Sequence, residues 1–402
     1  MQMAVANQST WLGPSGFASW LEQQKAQKVP PRLDVVMFGH VRDDNDLPRL
    51  FPWASHLTSE EQRELLGSLK PMFCEIIPCT AMTVGILIPP MDGPELLATA
   101  SFLQAQQLLE EALDFVAEYK TRIVCLAGLN GALSFYGQSV MEKAQKLGIA
   151  LTTGHAMTTT CVFRTYQRAV QDLALDPSED RMSIVGLGSI GASFARLLLR
   201  QRQRPRELVL VDQPNRRQRI EQLAEEFRSS SDVKISLEFT TPEGHLLPDS
   251  ACYHSRYLIS AISSSNAIDI DGLASGTVLV DDSQPHAWSR SQAWKRCSER
   301  QDIVPCDTGI VDSRCIGYYS YFPFDFTEND ANGSSLSWSC FTEGLMKMLD
   351  DDLPSTIGEP LIENVLRYHR AFDRFGFAIP ALRCGPRLIP VEQIRGEFHR
   401  FS

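Results

Sequence analysis

The sequence predicts an α/β protein organised around a doubly wound parallel sheet, with a further α/β domain before it and a helical segment after it. Three observations carry this. Between residues 182 and 312, short apolar runs alternate with helical segments, the pattern of a parallel sheet covered on both faces. The turn Gly186-Leu187-Gly188-Ser189-Ile190-Gly191 separates one such run from a helix. Asp212 then closes the next run, at about the 20-residue interval expected in a strand–helix–strand unit.

Residues 1–32 read as an N-terminal extension. Within it, residues 10–24 carry Trp11, Leu12, Phe17, Trp20 and Leu21. They form either a short amphipathic helix that docks on the protein or on a partner, or a frayed tail before Pro30-Pro31. Residues 33–40 (LDVVMFGH) are a buried strand ending in a glycine turn, and residues 73–90 hold one or two strands closed by Pro89-Pro90. Residues 93–119 have helical spacing of Leu96, Leu97, Phe102, Leu103, Leu108, Leu109, Leu113 and Phe115. A strand, turn and helix (122–133), a short strand (149–151) and a helix from Met157 to Leu173 complete an α/β substrate domain over 33–175.

Asp176-Pro177-Ser178-Glu179-Asp180 is a polar break that sets the next domain at 176–325. Its strands are 182–185, 207–212, 233–239, 257–263, 276–283 and 302–312. A polar loop from Glu328 to Ser335 then leads into helices at 337–349 and about 357–375. Residues 326–402 thus read as a helical C-terminal segment bearing Cys340.

The composition excludes several function classes. A net charge of −11, with no Lys/Arg-rich face, argues against nucleic-acid binding. No apolar run reaches the roughly 20 residues needed to span a bilayer, and the N-terminus lacks the pattern of a secretory signal. A cytoplasmic protein is expected, its ten cysteines reduced and mostly buried. No CxxC pair occurs among them, and no metal is expected.

The glycine turn points to a Rossmann dinucleotide site. Gly186 permits the tight turn, Gly188 lets backbone approach a pyrophosphate, and Gly191 lets helix and strand pack closely. Ser189 and Ile190 open the helix whose amides face the anion. The Asp212 carboxylate suits the adenosine ribose hydroxyls and repels a 2′-phosphate, which argues for NADH. Arg216, Arg217 and Arg219 are placed to clamp that phosphate, which argues for NADPH. Farther along the sheet, Ser263, Thr308 and Gly309 close strand ends where ribose or nicotinamide would lie.

Three side chains are candidates for chemistry. His155 follows the turn Thr152-Thr153-Gly154, and His286 follows a strand end; either suits proton transfer, or is a bystander. Cys340 falls in the first turn of a helix, with Ser337 or Ser339 as its cap. A helix N-terminus favours the thiolate. Trp338, Phe341, Leu345 and Met348 form the expected buried stripe, with Gly344 leaving room for a ligand one turn beyond Cys340.

Several segments together are similar to a known family: Phe38-Gly39-His40, Leu151-Thr152-Thr153-Gly154, Ser183-Ile184-Val185 with the glycine turn, Leu279-Val280-Asp281, Thr308 to Ser313, Ser339 to Glu343, and His369 to Pro380. In order and rough spacing the chain resembles the cyanobacterial-type long-chain acyl-(acyl carrier protein) reductases. The resemblance implies that Cys340 takes an acyl group from an acyl carrier protein or CoA thioester and that NADPH reduces it to an aldehyde. Thr153 and Gly154, in the turn before His155, are expected at the substrate. The other expectations are a conventional dehydrogenase of the shikimate or amino-acid type, with His155 moving the proton, and a non-enzymatic nucleotide-sensing partner protein.

Overall fold

The computed structural model describes residues 10–41, 46–321 and 333–398. These fall into two compact units. One comprises residues 1–157, 311–360 and 370–378, the other 158–310, 361–369 and 379–402. The chain passes from the first to the second in the opening turn of the helix His155–Asp172, ahead of the polar break at 176, and the C-terminal segment is shared between the units. Most of the expected loop from Glu328 to Ser335 lies outside the described residues.

The first unit is built on a six-stranded sheet. Its strands are β1 (Trp11–Leu12), β2 (Val35–Phe38), β3 (Met72–Pro78), β4 (Thr83–Ile88), β5 (Ile123–Leu126) and β6 (Ala150–Thr152), in the order β1-β3-β4-β2-β5-β6. From β4 to β6 all neighbours are parallel. The four-residue runs VVMF and IVCL are buried throughout, as strands covered on both faces must be. β3 joins antiparallel, with a register shift between Phe73 and Glu75, and β1 extends it by the pair Trp11 and Ile76.

The N-terminal segment docks on its own chain. Helix Gly13–Ala26 buries Trp20 to 2% exposure and packs Phe17 on Phe73 and Tyr119, with ring centroids 4.6 and 5.3 Å apart. This aromatic cluster stabilises what composition alone left open as a frayed tail. The expected helix over 93–119 is two helices, Gly93–Ala98 and Phe102–Ala117. Ala100 between them has φ +52°. The longer helix turns Ala105, Leu109, Ala112, Leu113 and Val116 inward and leaves Leu103 70% exposed.

The second unit holds β7 (Arg181–Val185), β8 (Glu207–Asp212), β9 (Lys234–Phe239), β10 (Tyr257–Ser260), β11 (Thr277–Asp281) and β12 (Ile303–Asp307). Their order is β12-β11-β10-β7-β8-β9, and every neighbouring pair is parallel. This is the doubly wound Rossmann order, and the winding reverses beside β7. Helices Ser189–Leu198, Arg217–Ser230 and Arg290–Arg300 supply crossovers or cover. Among the described residues no helix is long and apolar enough to cross a membrane.

Candidate functional site

The turn after β7 separates the roles of its glycines. Gly186 has φ +89°, and a Cβ there would lie 2.4 Å from the Ala261 carbonyl oxygen. A Cβ on Gly191 would lie 1.9 Å from the Gly186 carbonyl oxygen, so this glycine lets the helix sit directly on the strand. At Gly188 a Cβ would meet nothing within 4 Å. Gly188 is the cap residue of helix Ser189–Leu198. The position open to a ligand is therefore also the one at the helix N-terminus, where amide groups and the dipole favour an anion.

Asp212 is 6% exposed and locks this turn. Its Oδ2 accepts from the Leu187 amide and its Oδ1 from the Gln213 amide, both at 2.8 Å. Arg216 stands 3.8 Å from Asp212, with its side chain half exposed. Arg217 lies over the Phe239 ring at 3.9 Å and beside Glu221 at 3.7 Å. Ser263 is exposed just beyond β10. Thr308 is buried, its hydroxyl 2.8 Å from that of Thr165 and 3.7 Å from Cys161 Sγ, and Gly309 follows at φ +82°.

In the first unit, Cys340 is half-buried in the first turn of helix Ser339–Leu349. The cap residue is Trp338, whose side chain makes no capping hydrogen bond. Neither expected serine caps the helix: the Ser337 hydroxyl is engaged instead with those of Ser313 (2.6 Å) and Thr342 (2.8 Å). Burial also departs from a single stripe, since Phe341 through Met346 are all buried, while Met348 is only partly so.

Gly344 leaves no space for a ligand. A Cβ there would fall 2.2 Å from Cys125 Sγ and 3.1 Å from Val35, so the glycine lets the helix lie tightly across β2 and β5. Burial pushes the Cys125 thiol well up, and it donates toward the Phe341 carbonyl at 3.8 Å.

The turn Thr152-Thr153-Gly154 meets the Cys340 turn directly. Gly154 has φ +74°, and a Cβ on it would lie 2.2 Å from the Cys340 carbonyl oxygen. The Thr153 amide and hydroxyl both donate to the Thr356 carbonyl, at 2.9 and 3.1 Å. His155 stacks edge-on against Tyr136 at 5.4 Å, and its Nε2 approaches Gly131 so closely that a Cβ there would be 3.0 Å away. Desolvation lowers its pKa to about 4, so the ring is neutral at neutral pH.

Glu343, one turn after Cys340, is the main residue that sequence reasoning passed over. It is 0% exposed and accepts from the Thr152 hydroxyl, the Met157 amide (3.0 Å) and the Thr356 amide (3.2 Å). It ties the Cys340 helix to the turn before His155. Burial raises its pKa against these hydrogen bonds. A carboxylate amid Phe341, Leu345 and Met346 was the available signal, because a charge is seldom placed in an apolar stretch without partners.

No family model matches the chain. The chain is 25% identical over 334 residues to the aminotransferase PigE of a Serratia species, an alignment covering 79% of this chain and 35% of that protein's length. Solved structures found by fold comparison include L-tryptophan dehydrogenase from Nostoc punctiforme (TM-score 0.36, 11% identity, 85% of this chain and 79% of that one). Shikimate 5-dehydrogenase from Listeria monocytogenes follows at TM-score 0.31, 11% identity, and 90% and 96% coverage. An NAD-dependent malic enzyme from Thermotoga maritima has TM-score 0.35, 11% identity, and 90% and 89% coverage. The expected kinship with the acyl-(acyl carrier protein) reductases is corrected by the sequence match to the aminotransferase. That relative, aligned over 79% of this chain, is named an aminotransferase, and the segments that suggested the kinship are short: some close strands or turns, while Ser339 to Glu343 opens one helix and His369 to Phe375 ends another.

Proposed function

We propose that this chain is a nicotinamide-dependent oxidoreductase that binds NADH or NADPH on the C-terminal edge of the β7–β12 sheet. The observation that carries this reading is Gly188: an open position at a helix N-terminus, in the β7 turn of a sheet wound in the dinucleotide-binding order. Gly186 and Gly191 shape the turn, the Ser189 and Ile190 amides face the pyrophosphate, and Asp212 and Arg216 stand where the adenosine ribose would lie. Ser263 and Gly309 mark strand ends farther along the same edge. When bound, the reduced nicotinamide supplies a hydride. Titration of cofactor fluorescence tests the reading: Gly188→Val should weaken binding at least tenfold without lowering Tm. Equal binding by wild type and variant would overturn it.

The leading course of reaction is that of a conventional dehydrogenase of the shikimate or amino-acid type, with the substrate held without a covalent bond. His155, a neutral imidazole above about pH 4, offers one protonated ring nitrogen and one lone pair for proton transfer. A second reading rests on Cys340, half-buried at a helix N-terminus against the Gly154 backbone. There the thiolate attacks an acyl thioester of CoA or an acyl carrier protein. The new S–C bond forms as the carrier thiol leaves with a proton, and hydride reduction followed by collapse frees an aldehyde and the thiolate. Two measurements separate the readings: intact mass after incubation with an acyl-CoA in the absence of reduced cofactor, and turnover of Cys340→Ala. One added acyl mass that Cys340→Ala lacks, with turnover lost, selects the thiol course. No added mass and near-normal turnover select the other.

A further inference from the structure

We propose that Asp281, His286 and Asp307 form a binding site for a divalent first-row transition ion at the C-terminal ends of β11 and β12. One donor atom from each residue, two carboxylate oxygens and a ring nitrogen, lies within 4.8 Å of the others. His286 Nδ1 is 3.1 Å from Asp281 Oδ2 and 4.0 Å from Asp307 Oδ1. Ligands about 2.0–2.2 Å from a zinc-like ion stand roughly 3–3.6 Å from one another, so a small closure around the ion completes three sides of a coordination shell.

The decisive atom is Asp307 Oδ1. The Asp307 side chain is 3% exposed, and this oxygen has no hydrogen-bond partner among the described residues. It faces His286. A buried carboxylate oxygen without a donor carries an uncompensated desolvation cost, which a cation in front of it removes. The other oxygen is fully used: Asp307 Oδ2 accepts from the Gly385 amide at 2.6 Å and pairs with Arg290 at 2.9 Å.

Asp281 is oriented in the same way. Its Oδ1 accepts from the Ser260 hydroxyl (2.7 Å) and the Ser283 amide (3.1 Å), and its Oδ2 accepts from the Ala287 amide (3.3 Å). Such outer hydrogen bonds, which hold carboxylates in place, are what metal ligands require. His286 is about one-third exposed, which leaves a path for the ion and for water ligands. Arg290 offsets one of the two carboxylates, and a dication offsets the other. One imidazole with two carboxylates suits zinc, manganese or cobalt better than calcium, which prefers oxygen alone. The three ligands stand five and twenty-one positions apart and form no recognised spacing, so the sequence reading that expected no metal had nothing to find. The inference stands independently of the NAD(P) reading.

The test uses the full chain stripped with EDTA and titrated with Zn2+, Mn2+ and Co2+ by calorimetry, with Co2+ also followed by its visible ligand-field bands. The expected result is one ion per chain, a higher Tm with the ion than without it, and cobalt bands of a nitrogen-and-oxygen site. His286→Ala and Asp307→Asn should each abolish stoichiometric binding, while Asp249→Asn, at an exposed turn, should bind as wild type. Circular dichroism establishes that each variant is folded. His286→Ala is the variant of record should Asp307→Asn fail to fold. Absence of stoichiometric binding in the wild type, or binding unaffected by His286→Ala, overturns the proposal. So does nitrogen NMR of the metal-treated protein showing His286 protonated on both ring nitrogens, which would make it an imidazolium bridging the two aspartates.

Discussion

The two six-stranded sheets place chemistry in different ways. In the β7–β12 sheet, every strand is parallel, and the candidate positions follow strand ends in chain order: Gly188 after β7, Asp212 at the end of β8, Ser263 after β10 and Asp281 at the end of β11. In the β1–β6 unit, the candidate residues come from segments far apart in the chain. Gly154 and His155 follow β6, Glu343 and Cys340 arrive from almost 190 residues later, and Thr356 completes the set. The first arrangement is local and open, with a glycine facing empty space. The second is assembled by packing, with glycines facing backbone and sulfur. Open glycines belong to ligand contact, and crowded ones to the fit of the chain against itself.

The largest expected effect breaks that contrast most directly. Gly154→Ala places a Cβ against the Cys340 backbone at a position of positive φ. It should cost about 3 kcal/mol or more by thermal or urea unfolding. Gly188→Ala, in open space, should stay within about 0.5 kcal/mol of wild type. Similar losses at both positions would remove the distinction.

Acid titration should then separate the two units by pH window. His155, with its folded pKa lowered to about 4, contributes stability that is present above the unfolded value near 6.5 and lost as pH falls from there toward 4. Glu207, in the second unit, opens β8. Burial opposes its ionisation, but hydrogen bonds from Lys234, Ser236 and Arg181 hold its pKa down to about 2. Its contribution is present above about 4.5 and lost as pH falls toward 2. Each shift corresponds to at most about 3 kcal/mol. His155→Asn should flatten the stability profile only in the upper window and Glu207→Gln only in the lower. Unfolding midpoints measured across the range check both, and a single shared window would contradict the assignment.

The smallest effect concerns cofactor choice. Asp212→Asn keeps an oxygen for the turn amides and removes the charge, so NADPH should gain about tenfold on NADH, on the order of 1–2 kcal/mol. The ratio of the two dissociation constants reads this out. An unchanged ratio would mean that Asp212 serves the turn alone.

The glycine turn was legible in the sequence because all its requirements are local: a strand before it, a helix after it, and a carboxylate closing the next strand. The alternation of apolar runs was enough for the parallel sheet, since a strand buried on both faces shows as an unbroken run wherever it lies. Cys340 was legible as a residue at a helix start, but its surroundings were not. Gly344 reads as room for a ligand until Cys125 is seen to fill it. Ser337 reads as a cap until its hydroxyl is seen with Thr342 and Ser313. Glu343 shows in the sequence only as a charge in an apolar stretch, and its partners Thr152, Met157 and Thr356 come from elsewhere in the chain. The sequence by itself determined periodicity, turn chemistry and the dinucleotide-type turn, because these depend on neighbours within a few residues. Only the tertiary structure decided which side chains meet across long stretches of chain. A buried polar group is defined by its partners, and those partners are brought to it by sheet order and helix packing rather than by any spacing along the chain.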